Sequence, residues 1–348
     1  MSGETQEGLS RSRKLVVWLI GLVALLTLAA ALVLGAWSYA NYRFVSEGPQ
    51  AEDTVFVVPE GAGVNAVAGK LAREGLISDD RLYKLVMRLK DPEARLIPGE
   101  FRIPGGSSMA EITEVLKSGQ VIQYKFTAPE GRTVAQVIRA MDAHDVLIDD
   151  NPEPLPEEGS LLPETYLFPR GTTQSELIRQ MREAHDQTVA ELWAARQPGL
   201  PVTTPAEAVT LASIVEKETG VGAERGKVAG VFTNRLRRGM RLESDPTIIY
   251  GISKGEPLGR GLRRSEIDRE TAYNTYQIDG LPPTPIANPG REALAAVMNP
   301  EDTDALFFVA DGTGGHVFAR TYAEHLRNVR KWRQIEREMR RRQAQNED

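Results

Sequence analysis

No charged residue occurs between Leu15 and Tyr42, and the stretch from Leu15 to Trp37 is almost wholly apolar. Roughly 20 such residues cross a bilayer as a helix. Arg11, Arg13 and Lys14 precede the run, while Arg43 is a lone charge after it. Cationic residues stay on the cytoplasmic side, so the bias predicts a cytoplasmic N-terminus (residues 1–14), a span (15–37) and a linker (38–52) leading outward. Trp18, Trp37, Tyr39 and Tyr42 fall near the two interfaces. A cleaved signal peptide is the competing reading. The run is longer than an ordinary signal core and no small-x-small cleavage site follows it, so a single-pass anchor is expected.

The 348 residues suffice for two or three domains. A net charge of −6 with 26% charged residues argues against nucleic acid as the main partner. There is no cysteine, which excludes disulfides, thiol chemistry and thiolate metal sites. The four histidines, His144, His185, His316 and His325, lack metal-ligand spacing, so neither a metal nor a cofactor is expected.

An internal repeat follows the apolar run. Val55-Phe56-Val57-Val58-Pro59-Glu60-Gly61 is echoed by Lys125-Phe126-Thr127-Ala128-Pro129-Glu130-Gly131, and Val64, Val67, Ala68 and Leu71 correspond to Val134, Val137, Ile138 and Met141. A shorter copy runs Phe101-Arg102-Ile103-Pro104-Gly105, with Met109, Ile112 and Leu116 after it. Each copy reads as a strand, a Pro/Gly turn and an amphipathic helix. Small βα units sharing a sheet are therefore predicted over 53–148, suited either to holding a sugar polymer or to acting as a spacer. The acidic, proline-rich residues 149–159 read as a loop and Leu162–Pro169 as an aromatic turn. A helix follows from Gln174 to about Arg196, with Leu177, Met181, Ala184 and Thr188 inward.

The next helix carries the chemistry. Thr204 suits its N-cap, Pro205 its first position, and Glu207 completes a capping box. Gly220 suits a left-handed terminator just beyond Thr219. Ala208, Leu211, Ala212 and Val215 share one face, and Glu218 and Thr219 return to that stripe, with Glu216 at its margin and Lys217 opposite. Partial burial and the negative end of the helix dipole would both raise the pKa of Glu218. A carboxyl protonated near neutrality is what a general acid requires. A structural ion pair with Arg225 or Arg235 is the competing account.

Val228–Arg237 reads as another helix, and loops follow that concentrate aromatic, amide and carboxylate groups. Tyr273, Asn274, Tyr276 and Asn288 fit the mix that reads sugars, with rings packing on pyranose faces and amides bonding hydroxyls. Asp245 is a cleft candidate or merely a helix cap. Asp311–His316 is glycine-rich without phosphate-loop or dinucleotide spacing, so a hairpin turn between Leu306–Ala310 and Val317–Ala319 is predicted. The chain closes with a charged helix from Tyr322 to about Gln343, ending in Arg340-Arg341-Arg342, read as a solvated face.

In order, Leu211-Ala212-Ser213-Ile214-Val215-Glu216-Lys217-Glu218-Thr219, Val231–Leu236, Met240-Arg241-Leu242, Ser244–Gly251, Thr271–Tyr276, Gly280–Pro283, Pro289-Gly290, Phe308–Gly312 and Gly315-His316 closely resemble the YceG-like family of membrane-anchored endolytic murein transglycosylases. The likeness covers essentially the whole chain and is most specific over 211–316. It implies an α+β fold: a transmembrane helix, a small LysM-like module (53–148), a mixed α/β catalytic domain (149–343) and a tail (344–348). It implies a lytic transglycosylase of the bacterial inner membrane whose catalytic domain is periplasmic. Such an enzyme cuts the β-1,4 bond between N-acetylmuramic acid and N-acetylglucosamine within nascent strands, leaves 1,6-anhydro ends and limits strand length. Its partners are glycan strands and, by role, peptidoglycan synthases. The family's catalytic glutamate falls on Glu218. Asp245, Tyr273, Asn274, Tyr276, Asn288 and Glu216 are the substrate-binding candidates. A muramidase-type hydrolase and a non-catalytic peptidoglycan-binding scaffold are the rivals.

Overall fold

The computed structural model describes residues 4–346, with side chains from Lys14 to Met339 and at Arg341. The ends of the expected cytoplasmic segment (1–3) and of the tail (347 and 348) lie outside the described residues, as do the side chains of Arg11, Arg13, Arg340 and Arg342. Two compact units divide the chain, Met1–Gln123 and Tyr124–Asp348.

The first unit opens with α1 (Glu4–Val45). From Lys14 to Val45 it is, among the described residues, the one helix long and apolar enough to cross a membrane. Leu15 to Leu34 are exposed along it, whereas Ala40 and Phe44 are buried in the unit's core. Beyond it run β1 (Thr54–Val58), α2 (Val64–Arg73), α3 (Asp80–Lys90), β2 (Gly99–Ile103) and α4 (Met109–Lys117). β1 and β2 pair antiparallel, Phe56 opposite Phe101, which makes a ββ pair with two helices between its strands. Alternation along β1 sends Phe56 and Val58 inward. They join Leu71, Tyr83, Phe101 and Ile112 in one apolar cluster. The buried Tyr83 hydroxyl is satisfied by Thr113 Oγ1 at 2.9 Å, which removes the cost of an unpaired polar atom.

The second unit contains β3 (Gln123–Thr127), α5 (Val134–Asp142), β4 (Thr165–Pro169), α6 (Gln174–Ala194), α7 (Pro205–Glu218), α8 (Arg225–Arg237), α9 (Asp245–Ser253), α10 (Arg264–Ile267), α11 (Arg291–Met298), β5 (Phe307–Ala310), β6 (His316–Ala319) and α12 (Tyr322–Asn346). The predicted βα units form, but they do not share one sheet. β1 pairs with β2, and β3 pairs with β4. Phe126, Val134 and Met141 bury against Tyr166, Phe168, Leu177 and Met181, so the second copy of the repeat packs forward along the chain. The boundary between compact units falls before Tyr124.

The residues read as an aromatic turn are strand β4, a fourth copy of the motif. Phe168-Pro169-Arg170-Gly171 corresponds to Ile103-Pro104-Gly105-Gly106. Gly61, Gly106, Gly131 and Gly171 all have positive φ, a conformation that penalises any side chain, which is why the turn keeps glycine there. Ser108, Thr133 and Thr173 then start their helices with full capping boxes, each worth about 1 kcal/mol.

Around α7 the second core assembles from α11, α8, α6 and α9. Every residue from Ala208 to Val215 is buried. The one-sided stripe expected for this helix is thus a central helix apolar all round, whose polar members Thr210 and Ser213 bond back to its own carbonyls. β5 and β6 form the predicted antiparallel hairpin.

Candidate active site

The capping box of Thr204 and Glu207 fixes the start of α7, as expected. Its end differs. Glu218 is the last helical residue, Thr219 is extended (φ −136°, ψ 128°), and Gly220 does not take the left-handed conformation. Thr219 Oγ1 accepts from the Val221 amide at 3.0 Å, so a side-chain turn, not glycine, stops the helix. The helix therefore presents Glu218 on its final residue, where the dipole disfavours negative charge.

Neither arginine proposed as a partner takes Glu218. Arg225 is buried and faces Glu130, Glu216 and Glu292. Arg235 is buried and donates to the carbonyls of Leu306 (2.7 Å) and Leu242 (2.9 Å) and to Glu243 (3.1 Å). What touches Glu218 is Ser244, whose hydroxyl donates to Oε1 at 2.5 Å. Burial pushes the Glu218 carboxyl up to about 7; the Ser244 bond opposes this, the negative charge of Asp245 adds to it, and His316 and Arg235 pull it down. The residue nevertheless keeps some solvent access, so the group is enclosed by protein yet reachable.

Ser244 is placed by the loop after α8. Arg235 pins that loop from below, and Glu243 takes φ +50°, a left-handed conformation costing about 1–2 kcal/mol in a residue with a side chain. The Glu243 amide bonds the Thr275 carbonyl at 3.1 Å, and the Ser244 amide bonds Thr275 Oγ1 at 2.9 Å. Thr247 Oγ1 closes the network onto the Ser244 carbonyl at 2.6 Å. Ser244, Thr247 and Thr275 are all at most 1% exposed, so the hydroxyl aimed at Glu218 stands on a rigid support.

The other expected residues separate into two groups. Asp245 is exposed at the start of α9 and accepts from the Tyr276 hydroxyl at 2.8 Å; burial and that carboxylate push the Tyr276 phenol upward. Ser244 precedes α9 as its N-cap but makes no side-chain cap bond, because its hydroxyl is turned to Glu218. Tyr273 is half-buried, bonds Thr284 at 2.8 Å and lies 5.1 Å from the Tyr250 ring.

Asn274, Asn288 and Glu216 bond within the protein. Asn274 gives its amide hydrogens to the carbonyls of Ile267 and Arg269 and accepts from the Tyr276 amide. Asn288 accepts from Leu161 and donates to Arg132. Both are 1% exposed, so their polar atoms are spent on neighbouring backbone. Glu216 accepts from the Gly290 amide at 3.0 Å and faces Arg225, a supporting role beneath the helix end.

Sequence reasoning left out Ser244, His316 and Glu224 as site residues. His316 opens β6, and its ring and amide are held by Glu224 at 2.8 and 2.9 Å. The only available signal was that Ser244 and His316 lie inside quoted motif blocks; a lone serine or histidine has no periodicity to announce it.

Residues 56–331 match the YceG-like family. The chain belongs to that family. A YceG-like crystal structure from Listeria monocytogenes is similar, with a TM-score of 0.50 and 25% identity over 79% of this chain and 98% of that one. The chain is 27% identical to a Bacillus subtilis (strain 168) protein named endolytic murein transglycosylase, over 86% of this chain and 90% of the relative. A Streptococcus pneumoniae serotype 2 protein of the same name is 28% identical over 85% of this chain, which spans only 62% of that longer relative.

Proposed function

We propose that this YceG-like chain is a membrane-anchored lytic transglycosylase that cleaves peptidoglycan within its glycan strands, with Glu218 as the single catalytic acid and base. One observation carries the reading: a carboxyl in no ion pair with an arginine, held up to about 7 by burial at a helix end, in a family whose named relatives are murein transglycosylases.

In the protonated form Glu218 gives its proton to the oxygen of the β-1,4 linkage between N-acetylmuramic acid and N-acetylglucosamine, and the bond from that oxygen to the anomeric carbon breaks. The C6 hydroxyl oxygen of the muramic sugar attacks the same carbon. Its proton passes to the Glu218 carboxylate, which restores the acid. No water is consumed, so no second carboxylate is needed to activate one. Ser244 steadies the carboxylate between the two transfers. Tyr273, and Asp245 with Tyr276, are the groups left to orient the saccharide.

The ββ pair with two helices between its strands supports a LysM-like, glycan-holding module in the first unit. We assign α1 as a single-pass anchor in the bacterial inner membrane with its N-terminus cytoplasmic and the remainder outside. Action on new strands there would limit their length and bring the chain beside peptidoglycan synthases.

Mass spectrometry of purified protein acting on isolated glycan strands tests the chemistry. Internal fragments with 1,6-anhydro ends are expected. Reducing ends would mean a hydrolase that uses a second carboxylate such as Asp245, and intact strands would leave a binding scaffold.

A further inference from the structure

Helix α3 carries a face that the core does not use. Arg81, Leu85, Arg88 and Leu89, spaced i, i+4, i+7 and i+8, are all exposed, with Leu85 at 51% and Leu89 at 60%. The opposite face buries Tyr83, Val86 and Met87. Neither arginine makes an ion pair among the described residues. The nearby acids Asp80 and Asp91 are taken by Lys84 and Lys117.

Both ends of α3 are tied to a short length of α1. At its start Ser78 accepts from Arg43 at 3.2 Å. At its end Lys90 bonds Asn41 and places its ammonium 5.9 Å from the Trp37 ring and 5.5 Å from Phe44. Residues 37 to 43 cover about 9 Å of helix rise, whereas α3 is about 16 Å long. These ties fit a helix that crosses α1 and lies at a shallow angle to the bilayer plane, its last turn nearest the span. Trp37 closes the apolar run, and the headgroup layer beyond it is about 5–8 Å deep. Tyr39 and Tyr42, exposed on α1 at the same level, are the residue type that settles there.

We propose that α3 is an interfacial helix that rests on the outer leaflet, with Leu89 and Leu85 entering the headgroup–acyl boundary and Arg88 and Arg81 meeting lipid phosphates. Apolar residues flanked by cations, on a helix held beside a membrane span, match that surface in both polarity and charge. The contact sets the first unit against the membrane instead of leaving it to swing on α1. This inference rests on α1 being a membrane span.

The native chain has no cysteine, so single-cysteine variants report cleanly. Full-length Leu89→Cys, Leu85→Cys and Trp37→Cys are labelled with a polarity-sensitive dye and reconstituted in vesicles of phosphatidylethanolamine and phosphatidylglycerol. Quenching is measured with headgroup-nitroxide lipid and with aqueous iodide. Labels at Leu89 and Leu85 are expected to be quenched by the nitroxide lipid and protected several-fold from iodide relative to the same dye on glutathione, Leu89 more than Leu85. If Trp37 reports lipid while Leu89 and Leu85 are as open to iodide as the glutathione adduct, the interfacial helix is refuted and the anchor stands. If Trp37 also reports only water, the anchor reading falls and the inference with it.

Discussion

Ser244 donates its hydroxyl to Glu218 Oε1 at 2.5 Å across 26 residues of chain. A donor of that kind favours the ionised carboxylate, while enclosure by protein favours the acid. The two tendencies leave the group near 7, where it can both release and recover a proton.

Glu218→Gln preserves shape and removes the proton. Release of anhydro-ended fragments should fall by a factor on the order of 100 or more, the usual worth of a general acid. Retention of glycan by the variant in a strand pull-down should be unchanged. Cleavage at the parent rate would refute the catalytic assignment.

The pH dependence follows from the sign of the shift. The folded state of Glu218 titrates near 7, above the 4.5 of a free glutamate, so the folded state holds the proton more tightly. Its favourable contribution is complete below about 4.5 and is lost as pH rises through about 7. Cleavage should decline over the same upper range as the acid ionises. Glu218→Gln should be more stable than the parent at pH 8, by no more than about 3–4 kcal/mol. Ser244→Ala removes the donor to the carboxylate, so the descending limb of the rate profile should move upward by about one pH unit while the maximal rate falls. An unshifted limb would mean that the serine does not tune the acid.

Arg225→Met removes the cation shared by Glu130, Glu216 and Glu292. Glu216 is then left as a buried carboxylate bonded only to the Gly290 amide. A loss of about 2–4 kcal/mol is expected in denaturant unfolding, discounted because Glu292 and Glu130 are well exposed. Adding Glu216→Gln should recover part of it, and failure to do so would mean the arginine contributes by packing alone.

Gly230 lies within α8, where alanine normally improves a helix by about 1 kcal/mol. Here an added Cβ would meet the Glu301 carbonyl oxygen at 2.6 Å and Thr303 Cγ2 at 2.8 Å. Gly230→Ala should therefore destabilise by about 1–3 kcal/mol, lowering the thermal midpoint. A gain in stability would show that the segment at Glu301 yields easily.

Much was legible one residue at a time because it depends on neighbours in sequence. The apolar run, the capping box at Thr204 and Glu207, the strand–turn–helix units and the hairpin around Asp311–His316 are set by local periodicity and turn chemistry. The carboxylate at the end of α7 stood out through its place near the helix terminus and through the family resemblance, whereas the one-sided stripe expected beside it is a helix buried all round. Where local signals misled, packing was the cause. Gly220 looked like a terminator, but Thr219 bonded first. Asn274 and Asn288 are 1% exposed, and a buried amide satisfies itself with whatever backbone surrounds it.

The sequence by itself determined the apolar run that suits a bilayer, the start of the central helix and the strand–turn–helix units, since each follows from contacts within a few residues. Only the tertiary structure decided that Arg225 and Arg235 are engaged elsewhere, that β3 pairs with β4, and that Ser244 and His316 bear on Glu218. Those outcomes depend on desolvation and on partners far apart in the chain, and such quantities exist only once the backbone has closed around them.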